Sequence, residues 1–254
     1  MDRTKPFLII SLLLILWTVG SLLGFLNVYL VPPPWKVAQT AWKLILNGVL
    51  IRHVATSFSR VMVGFAITIC LALPMGVLVG LHKGSRAIWE PPLNFMRHIP
   101  PLATMPMLIL WFGIGEPAKL AIIILSGFFP VFLNTASGVS NCDPKLIEVG
   151  KTLGHEPLDR LVRIILPAAI PSILVGLQLG IGYAWRSLVG AELLAAASGL
   201  GYMIIEAEQL SRPDTVIVGI LTIGLLGLLI DVVFNYACSR LMPWCREEKI
   251  YVQD

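Results

Sequence analysis

Charged residues are scarce in this chain of 254 residues, where they make up 13% of the sequence, against about 25% in soluble globular domains. The deficit is concentrated in long runs with one charge or none, and 56% of the chain is hydrophobic. Since a membrane-spanning helix needs about 20 apolar residues, the sequence predicts an all-α integral membrane protein with about six transmembrane helices. The predicted spans are 7–31, 54–81, 99–115, 120–139, 166–185 and 215–239.

Motifs for catalysis and for nucleotide binding are also lacking. The sequence has no G-x-x-x-x-G-K-[ST] phosphate loop, no HExxH zinc motif and no serine nucleophile elbow. We therefore predict that the chain is not an enzyme, that it binds no metal or cofactor, and that any ATP chemistry belongs to a partner. The four cysteines lack the spacing of metal ligands; they are Cys70, Cys142, Cys238 and Cys245.

The net charge of +4 could suggest a nucleic-acid partner, but its distribution argues against one. With the N-terminus inside, twelve lysines and arginines fall in cytoplasmic segments and five in outer segments. This asymmetry predicts a multi-pass membrane protein, surrounded by lipid, with both termini cytoplasmic. The first apolar run is too long for a signal peptide, and no small-x-small cleavage site follows it.

The chain shows no long linker and no convincing internal repeat, which predicts a single transmembrane domain over residues 1–254. Many secondary transporters are instead built from two related halves. Gly176 and Gly180 are spaced for close helix contact, either with a second copy of the chain or within one copy.

Polar residues within the predicted spans are candidates for a translocation path. His53, Ser57, Arg60 and Gly64 share one helical face. Because a charge in a span faces protein or water, Ser57 and Arg60 either line the path or hold a structural partner.

A second polar pair lies close to the end of the predicted fifth span. Arg186 and Glu192 are six residues apart, and a helix break at Gly190 would let them meet. They form either a gate on the path or a buried ion pair.

The segment between the fourth and fifth spans predicts two short amphipathic helices. Asp143 and Pro144 suit the start of the first helix, and Gly154 suits the position just after its end. Pro157 begins the second helix, and Leu166-Pro167 is predicted to turn the chain back into the membrane. The apolar faces of these helices need burial, either in a socket on another protein or on the membrane surface.

This segment carries a recognisable pattern: Glu148-Val149-Gly150, three residues, Gly154, nine residues, then Ile164-x-Leu166-Pro167. It resembles the cytoplasmic coupling loop of ATP-binding-cassette (ABC) importer permeases, here at about 141–167. That family usually has two alanines where this chain has Val149 and Gly150. Since glycine weakens a helix by up to about 1 kcal/mol, we expect a looser first helix that still fits its socket.

Other stretches resemble the nitrate, sulfonate, taurine and bicarbonate branch of these permeases, over nearly the whole chain. They include Trp185-x2-Leu188-Val189-x-Ala191-Glu192 and Gly199-Leu200-Gly201. The resemblance implies a type I ABC importer permease fold and a path for a small oxyanion such as an aliphatic sulfonate, taurine or nitrate. Riboflavin or a thiamine-precursor pyrimidine is the alternative cargo. A free-standing secondary transporter is the alternative to an ATP-driven importer.

The family resemblance also implies a location in the bacterial inner membrane, and it implies the partners. Two permease copies, here a homodimer, pair with a cytoplasmic ATPase dimer that carries ATP and magnesium. An extracytoplasmic binding protein delivers the substrate. The 143–167 loop would then couple ATP hydrolysis to transport.

Overall fold

The computed structural model describes the backbone of residues 5–241 and, within that range, all side chains except those of residues 5–7, 10, 83–87, 90, 94 and 241. Every regular element in this part of the chain is helical, as predicted. The α-helices are α1 (Lys5–Leu22), α2 (Pro34–Leu46), α3 (Val49–Leu81), α4 (Lys83–Arg97), α5 (Met105–Phe112), α6 (Glu116–Ser140), α7 (Pro144–Thr152), α8 (Pro157–Arg160), α9 (Leu166–Ala195), α10 (Leu200–Gln209) and α11 (Pro213–Leu241). A 3-10 turn at Pro101–Thr104 precedes α5, and a π turn at Leu161–Ile165 joins α8 to α9.

Four helical segments are long and apolar enough to cross a membrane. Two shorter apolar helical segments, Ser11–Leu22 and Pro101–Phe112, lie within the first and third predicted spans. The total of six spans therefore stays a prediction. The four long segments are Val49–Leu81, Glu116–Ser140, Pro157–Gln209 and Pro213–Arg240.

The third predicted span, 99–115, is not one continuous helix. A 3-10 turn begins it, and α5 follows with only eight residues. Prolines at 100, 101 and 106 remove backbone donors, which favours short helical pieces over one long helix. Gly113, with φ of 77°, then ends α5. The preceding amphipathic helix α4 was not predicted, because Pro91 and Pro92 lie inside it.

The chain divides into two compact units, which we describe separately. Unit 1 comprises Met1–Phe58 and Glu192–Leu226, and unit 2 comprises Ser59–Ala191 and Gly227–Asp254. The single domain predicted over 1–254 stays a prediction.

Unit 2 is built on close packing of α3, α6 and α9. A Cβ atom at Gly76 would lie 2.7 Å from Cβ of Thr135, so α3 and α6 approach each other closely at this glycine. A Cβ at Gly176 would lie 2.7 Å from Cβ of Asn134, and one at Gly180 would lie 2.7 Å from Cγ2 of Val131. Gly176 and Gly180 therefore serve packing within the chain, which decides between the two alternatives left open by their spacing.

Unit 1 contains α1, α2, α10 and the first half of α11, with the first turns of α3 and the last turn of α9. The Thr40 hydroxyl on α2 donates a 2.7 Å hydrogen bond to Asp214 at the start of α11. Leu200, Met203 and Ala207 form the buried face of α10. This short helix consequently has one apolar side packed in unit 1 and one exposed side.

Candidate functional site

Helix α7 of the 143–167 loop begins as the sequence predicts. Asp143 precedes its first residue, and its Oδ1 accepts a 2.9 Å hydrogen bond from the backbone N–H of Lys145. Pro144 occupies the first helical position, where its missing N–H has no cost. A cap of this kind stabilises a helix by about 1 kcal/mol. The start of α7 is therefore fixed by residues adjacent in sequence.

The end of α7 is a glycine corner, again as predicted. The N–H of Gly154 donates to the carbonyl of Lys151 at 3.0 Å, and the N–H of His155 donates to that of Gly150 at 3.0 Å. This pair of bonds is the Schellman arrangement, which needs a left-handed residue at the corner. Gly154 has φ of 78° and supplies it.

The predicted turn at Leu166-Pro167 is wrong, because the chain continues there as helix. Helix α8 passes through the π turn into α9 without interruption. The N–H of Leu166 donates to the carbonyl of Leu161, five residues earlier. Pro167 has no N–H and would clash with the carbonyl four residues earlier in a regular helix. A π turn directly before it relieves that conflict and keeps the helix continuous.

The inner side of the 143–167 loop is packed against the transmembrane helices of unit 2. A Cβ at Gly150 would overlap Cδ1 of Ile164 and lie 3.3 Å from Cγ of Arg160. The glycine that replaces the usual alanine thus lets α7 lie directly on the π turn. Below it is an apolar cluster formed by Val77, Val139, Cys142, Ile147, Leu161, Ile164, Ile165, Ala169 and Ile173. The loop is therefore a folded part of unit 2.

Burial raises the pKa of the Cys142 thiol in this cluster, and the adjacent Asp143 carboxylate raises it further. Since the thiolate is the reactive form of cysteine, Cys142 stays a protonated packing residue.

The outer side of the same loop presents apolar side chains without cover from unit 2. Val149 is 55% exposed and Leu153 is 70% exposed. Glu148, Lys145 and Lys151 are also exposed, so the surface combines apolar side chains with both signs of charge. Adjacent exposed apolar side chains of this kind mark an interaction surface. The exposed apolar residues of the loop are Leu146, Val149, Leu153, Leu158 and Val162.

Arg60, a predicted path residue, forms a structural ion pair in unit 2. Its Nε donates to Oε2 of Glu116 at 2.7 Å and its Nη2 to Oε1 at 2.5 Å. The buried Lys119 donates to the same carboxylate at 2.9 Å. Two-point contacts of this kind orient both side chains. The geometry favours the structural reading of Arg60, and its place on a path stays a prediction.

Arg186 and Glu192 have different surroundings. Helix α9 runs through Gly190 without the predicted break. The exposed Arg186 guanidinium lies 5.8 Å from the ring centroid of Tyr183, a cation–π contact. Glu192 is only 1% exposed and belongs to a polar cluster in unit 1. The roles of both residues in transport stay predictions.

That cluster holds the beginning of α10 and includes Ser57, the fourth predicted path residue. The N–H groups of Gly199, Leu200 and Gly201 donate in turn to Nδ1 of His53 at 3.1 Å, to Oγ of Ser57 at 2.9 Å and to Oε2 of Glu192 at 3.0 Å. We call these three side chains and three N–H groups the clasp.

The Ser57 hydroxyl also donates to the Glu192 carboxylate, at 2.9 Å from Oε1 and 2.8 Å from Oε2. Ser57 is fully buried and His53 is nearly so. The clasp satisfies three N–H groups that a helix start would otherwise leave without partners. Sequence reasoning placed Ser57 and Glu192 among functional residues but missed that they act together on Gly199–Gly201. The helical spacing of His53 and Ser57 was the available signal.

Unit 2 also contains a cavity of about 980 Å³. Its wall is mainly apolar and aromatic, with Trp111, Phe129 and Tyr183 among the lining residues. Arg97 and His98 lie at the wall, and the described lining residues include no carboxylate. Arg60 and Arg186 are not among them.

These features together define a membrane transport component. They are four segments long and apolar enough to span a membrane, a folded polar loop with an exposed apolar side, and a cavity between apolar helices. Residues 72–242 match the model of the family described as "Binding-protein-dependent transport system inner membrane component", and the chain belongs to that family. The predicted family is thereby confirmed. In ABC importers this component is the membrane permease subunit, which is separate from the ATPase.

Named relatives are similar over most of their length. The putative aliphatic sulfonates transport permease protein SsuC of Bacillus subtilis (strain 168) is 37% identical over 94% of this chain and 87% of that protein. The taurine transport system permease protein TauC of Escherichia coli (strain K12) is 34% identical over 92% of this chain and 86% of that protein.

A solved structure shares the fold. The inward-facing MetNI methionine ABC transporter aligns with a TM-score of 0.61 at 18% identity, over 74% of this chain and 94% of that chain. The chain therefore has the all-α fold of a type I ABC importer permease, as predicted, and it is a non-catalytic membrane subunit of such an importer.

Proposed function

We propose that this permease imports a small oxyanion, with an aliphatic sulfonate as the first candidate and taurine and nitrate as others. In this proposal residues 1–254 form one transmembrane domain, two copies of which make a homodimer. ATP and magnesium bind to a cytoplasmic ATPase dimer, and an extracytoplasmic binding protein delivers the cargo. Both termini of the permease lie in the cytoplasm.

The single observation that carries the coupling part of the proposal is the two-sided structure of the 143–167 loop. Its inner side is packed on α3, α6 and α9 through the apolar cluster, while Val149 and Leu153 remain exposed on the outer side. A partner that displaced the outer side would therefore also displace α3, α6 and α9, because the inner side is packed against them. This arrangement suits docking into an ATPase, and Glu148, Gly150, Gly154, Ile164, Leu166 and Pro167 are the proposed coupling residues together with Val149.

The cavity of unit 2 supports an organic anion as cargo. An apolar wall suits the alkyl part of a sulfonate, and Arg97 supplies a fixed positive charge. Nitrate has no apolar part to use such a wall. The names of SsuC and TauC relatives agree with this choice of candidates.

Riboflavin or a thiamine-precursor pyrimidine remains the alternative cargo.

The test is reconstitution of the permease in nanodiscs with its partner ATPase and binding protein. ATPase activity is measured with alkanesulfonates, taurine, nitrate and riboflavin in turn. We expect stimulation by a sulfonate. Stimulation by riboflavin alone would contradict the oxyanion assignment, and transport by the permease without any ATPase would contradict the importer itself.

A charge reversal tests the docking surface. Glu148→Lys should leave membrane insertion intact while abolishing most substrate-stimulated ATPase activity, because the carboxylate lies on the exposed side of α7. Glu206→Lys is the matched control, since Glu206 is an exposed acid on α10, outside the loop. It should retain ATPase association in a pull-down. Normal stimulation in the Glu148 variant would rule out the proposed coupling role.

A further inference from the structure

We propose that the clasp is a lock of the transport cycle, and that Ser57 and Glu192 are positioning residues which hold α10 in one of two arrangements. The inference rests on the proposed function, because it assigns the lock to a cycle driven by a partner ATPase. It concerns unit 1 alone and is independent of the 143–167 loop.

The first argument is the origin of the acceptors. A helix start is usually capped by a side chain a few residues away. Here Gly199 and Leu200 donate to residues 146 and 143 positions earlier, and Gly201 donates to a residue nine positions earlier. All three bonds exist only when the first turns of α3, the last turn of α9 and the start of α10 are in this one arrangement.

The second argument is burial. Ser57, Glu192 and Leu200 are at most 1% exposed. A small displacement of α10 would leave buried N–H groups and a buried carboxylate without these partners, which is unfavourable for each group. Intermediate positions are therefore unfavourable, and the clasp is either closed or fully open to water. Two discrete arrangements are what a switching element requires.

The third argument is local fit at Gly199. Its φ of 111° is left-handed, and a Cβ there would overlap the Glu192 carboxylate. The carboxylate thus lies against the backbone itself, in the space that a side chain would take. Any change in the backbone position at Gly199 consequently changes its contact with the Glu192 carboxylate.

Hydrogen exchange of the permease–ATPase complex in nanodiscs tests the lock directly. The complex is compared without nucleotide and after trapping with ATP and vanadate. We expect amide exchange in peptides covering 196–205 to differ by about tenfold or more between the two states, since each clasp bond contributes to protection. Peptides within α6 serve as the internal reference. Equally slow exchange at 199–201 in both states would overturn the proposal.

A pair of matched variants assigns the effect to Glu192. Glu192→Gln keeps the shape but weakens the acceptor, so exchange at 199–201 should rise in the protected state and basal ATPase activity should rise about threefold, as expected for one weakened hydrogen bond. Glu208→Gln changes an exposed acid on the same helix and should behave as wild type. A Glu192→Gln protein that lowers basal activity without faster exchange at 199–201 would also overturn the lock.

The outcomes separate this inference from the proposed function. A complex that couples substrate to ATPase activity but shows no state-dependent exchange at 199–201 contradicts the lock alone. A permease that binds no ATPase contradicts the proposed function and removes the lock from any such cycle.

Discussion

Helices α7 and α10 have nearly the same length, nine and ten residues, and end in the same hydrogen-bonding pattern. At the end of α10 the N–H of Ser211 donates to Glu208 and that of Arg212 donates to Ala207, as at the end of α7. The residue at the corner differs: Gly154 follows α7 and Ser211 follows α10.

The starts of the two helices differ more. Asp143 caps α7 from the adjacent position, whereas α10 begins in the clasp. The first helix is specified by its own sequence, and the second by side chains that are distant in sequence. We infer that α7 keeps its shape when its surroundings move, and that α10 keeps its shape only while the clasp is closed.

The largest predicted effect comes from the same substitution made near both helices. Gly199→Ala should lower the stability of the protein by about 3 kcal/mol, because the new Cβ meets a left-handed backbone and a buried carboxylate at once. Gly154→Ala places a Cβ on a left-handed backbone but brings it near no other atom, since nothing lies within 4 Å of that position. This variant should lower the free energy of unfolding by about 1 kcal/mol. Thermal unfolding in detergent, followed by tryptophan fluorescence, measures both. Equal losses would show that the Glu192 contact adds nothing.

The next effect compares the two caps. Ser57→Ala leaves the buried Leu200 N–H without this acceptor and should cost about 2 kcal/mol. Asp143→Ala removes an exposed cap and should cost about 1 kcal/mol. Amide exchange should rise in α10 for the first variant and in α7 for the second. A larger loss in the Asp143 variant would reverse our comparison.

The smallest effect is a gain. Ser211→Gly removes the left-handed strain at the end of α10 but adds freedom to the unfolded chain. We expect a net stabilisation of about 0.5 kcal/mol. The unfolding midpoint in detergent is the measurement, with Gly154→Ser as the opposite change at the matched corner. A lower midpoint for Ser211→Gly would show that serine is not strained there.

The same contrast explains what the sequence could predict. The aspartate cap, the corner at Gly154 and the long apolar helices depend on residues close in sequence or on composition, and these predictions are confirmed. The π turn depends on Pro167 acting on the turn before it, and α4 forms despite Pro91 and Pro92 because tertiary context overrides local preference. Local patterns gave no direct signal for the π turn, whereas the amphipathic pattern of α4 was an available signal.

The candidate path residues show the limit of pattern reasoning for function. Burial of Ser57, Arg60 and Glu192 follows from their place in apolar segments. Their partners do not, because Glu116 is 56 positions from Arg60 and Glu192 is 135 positions from Ser57. A single sequence carries no record of such distant pairs. The fold of the 143–167 loop was easier to predict, since the whole loop lies within one short segment.

The π turn at Leu161–Ile165 has a consequence for how this protein can evolve. A π turn contains one residue more than the α-helical turn it replaces. Deleting one residue there would leave a regular α-helical turn before Pro167, whose ring would clash with the carbonyl four residues earlier, so the helix would kink at that point. The exposed apolar residues of α8 would then face a new direction. Length changes in this short stretch should therefore be selected against even where substitutions are accepted, and a set of homologues should vary in residue type at 161–165 while keeping its length.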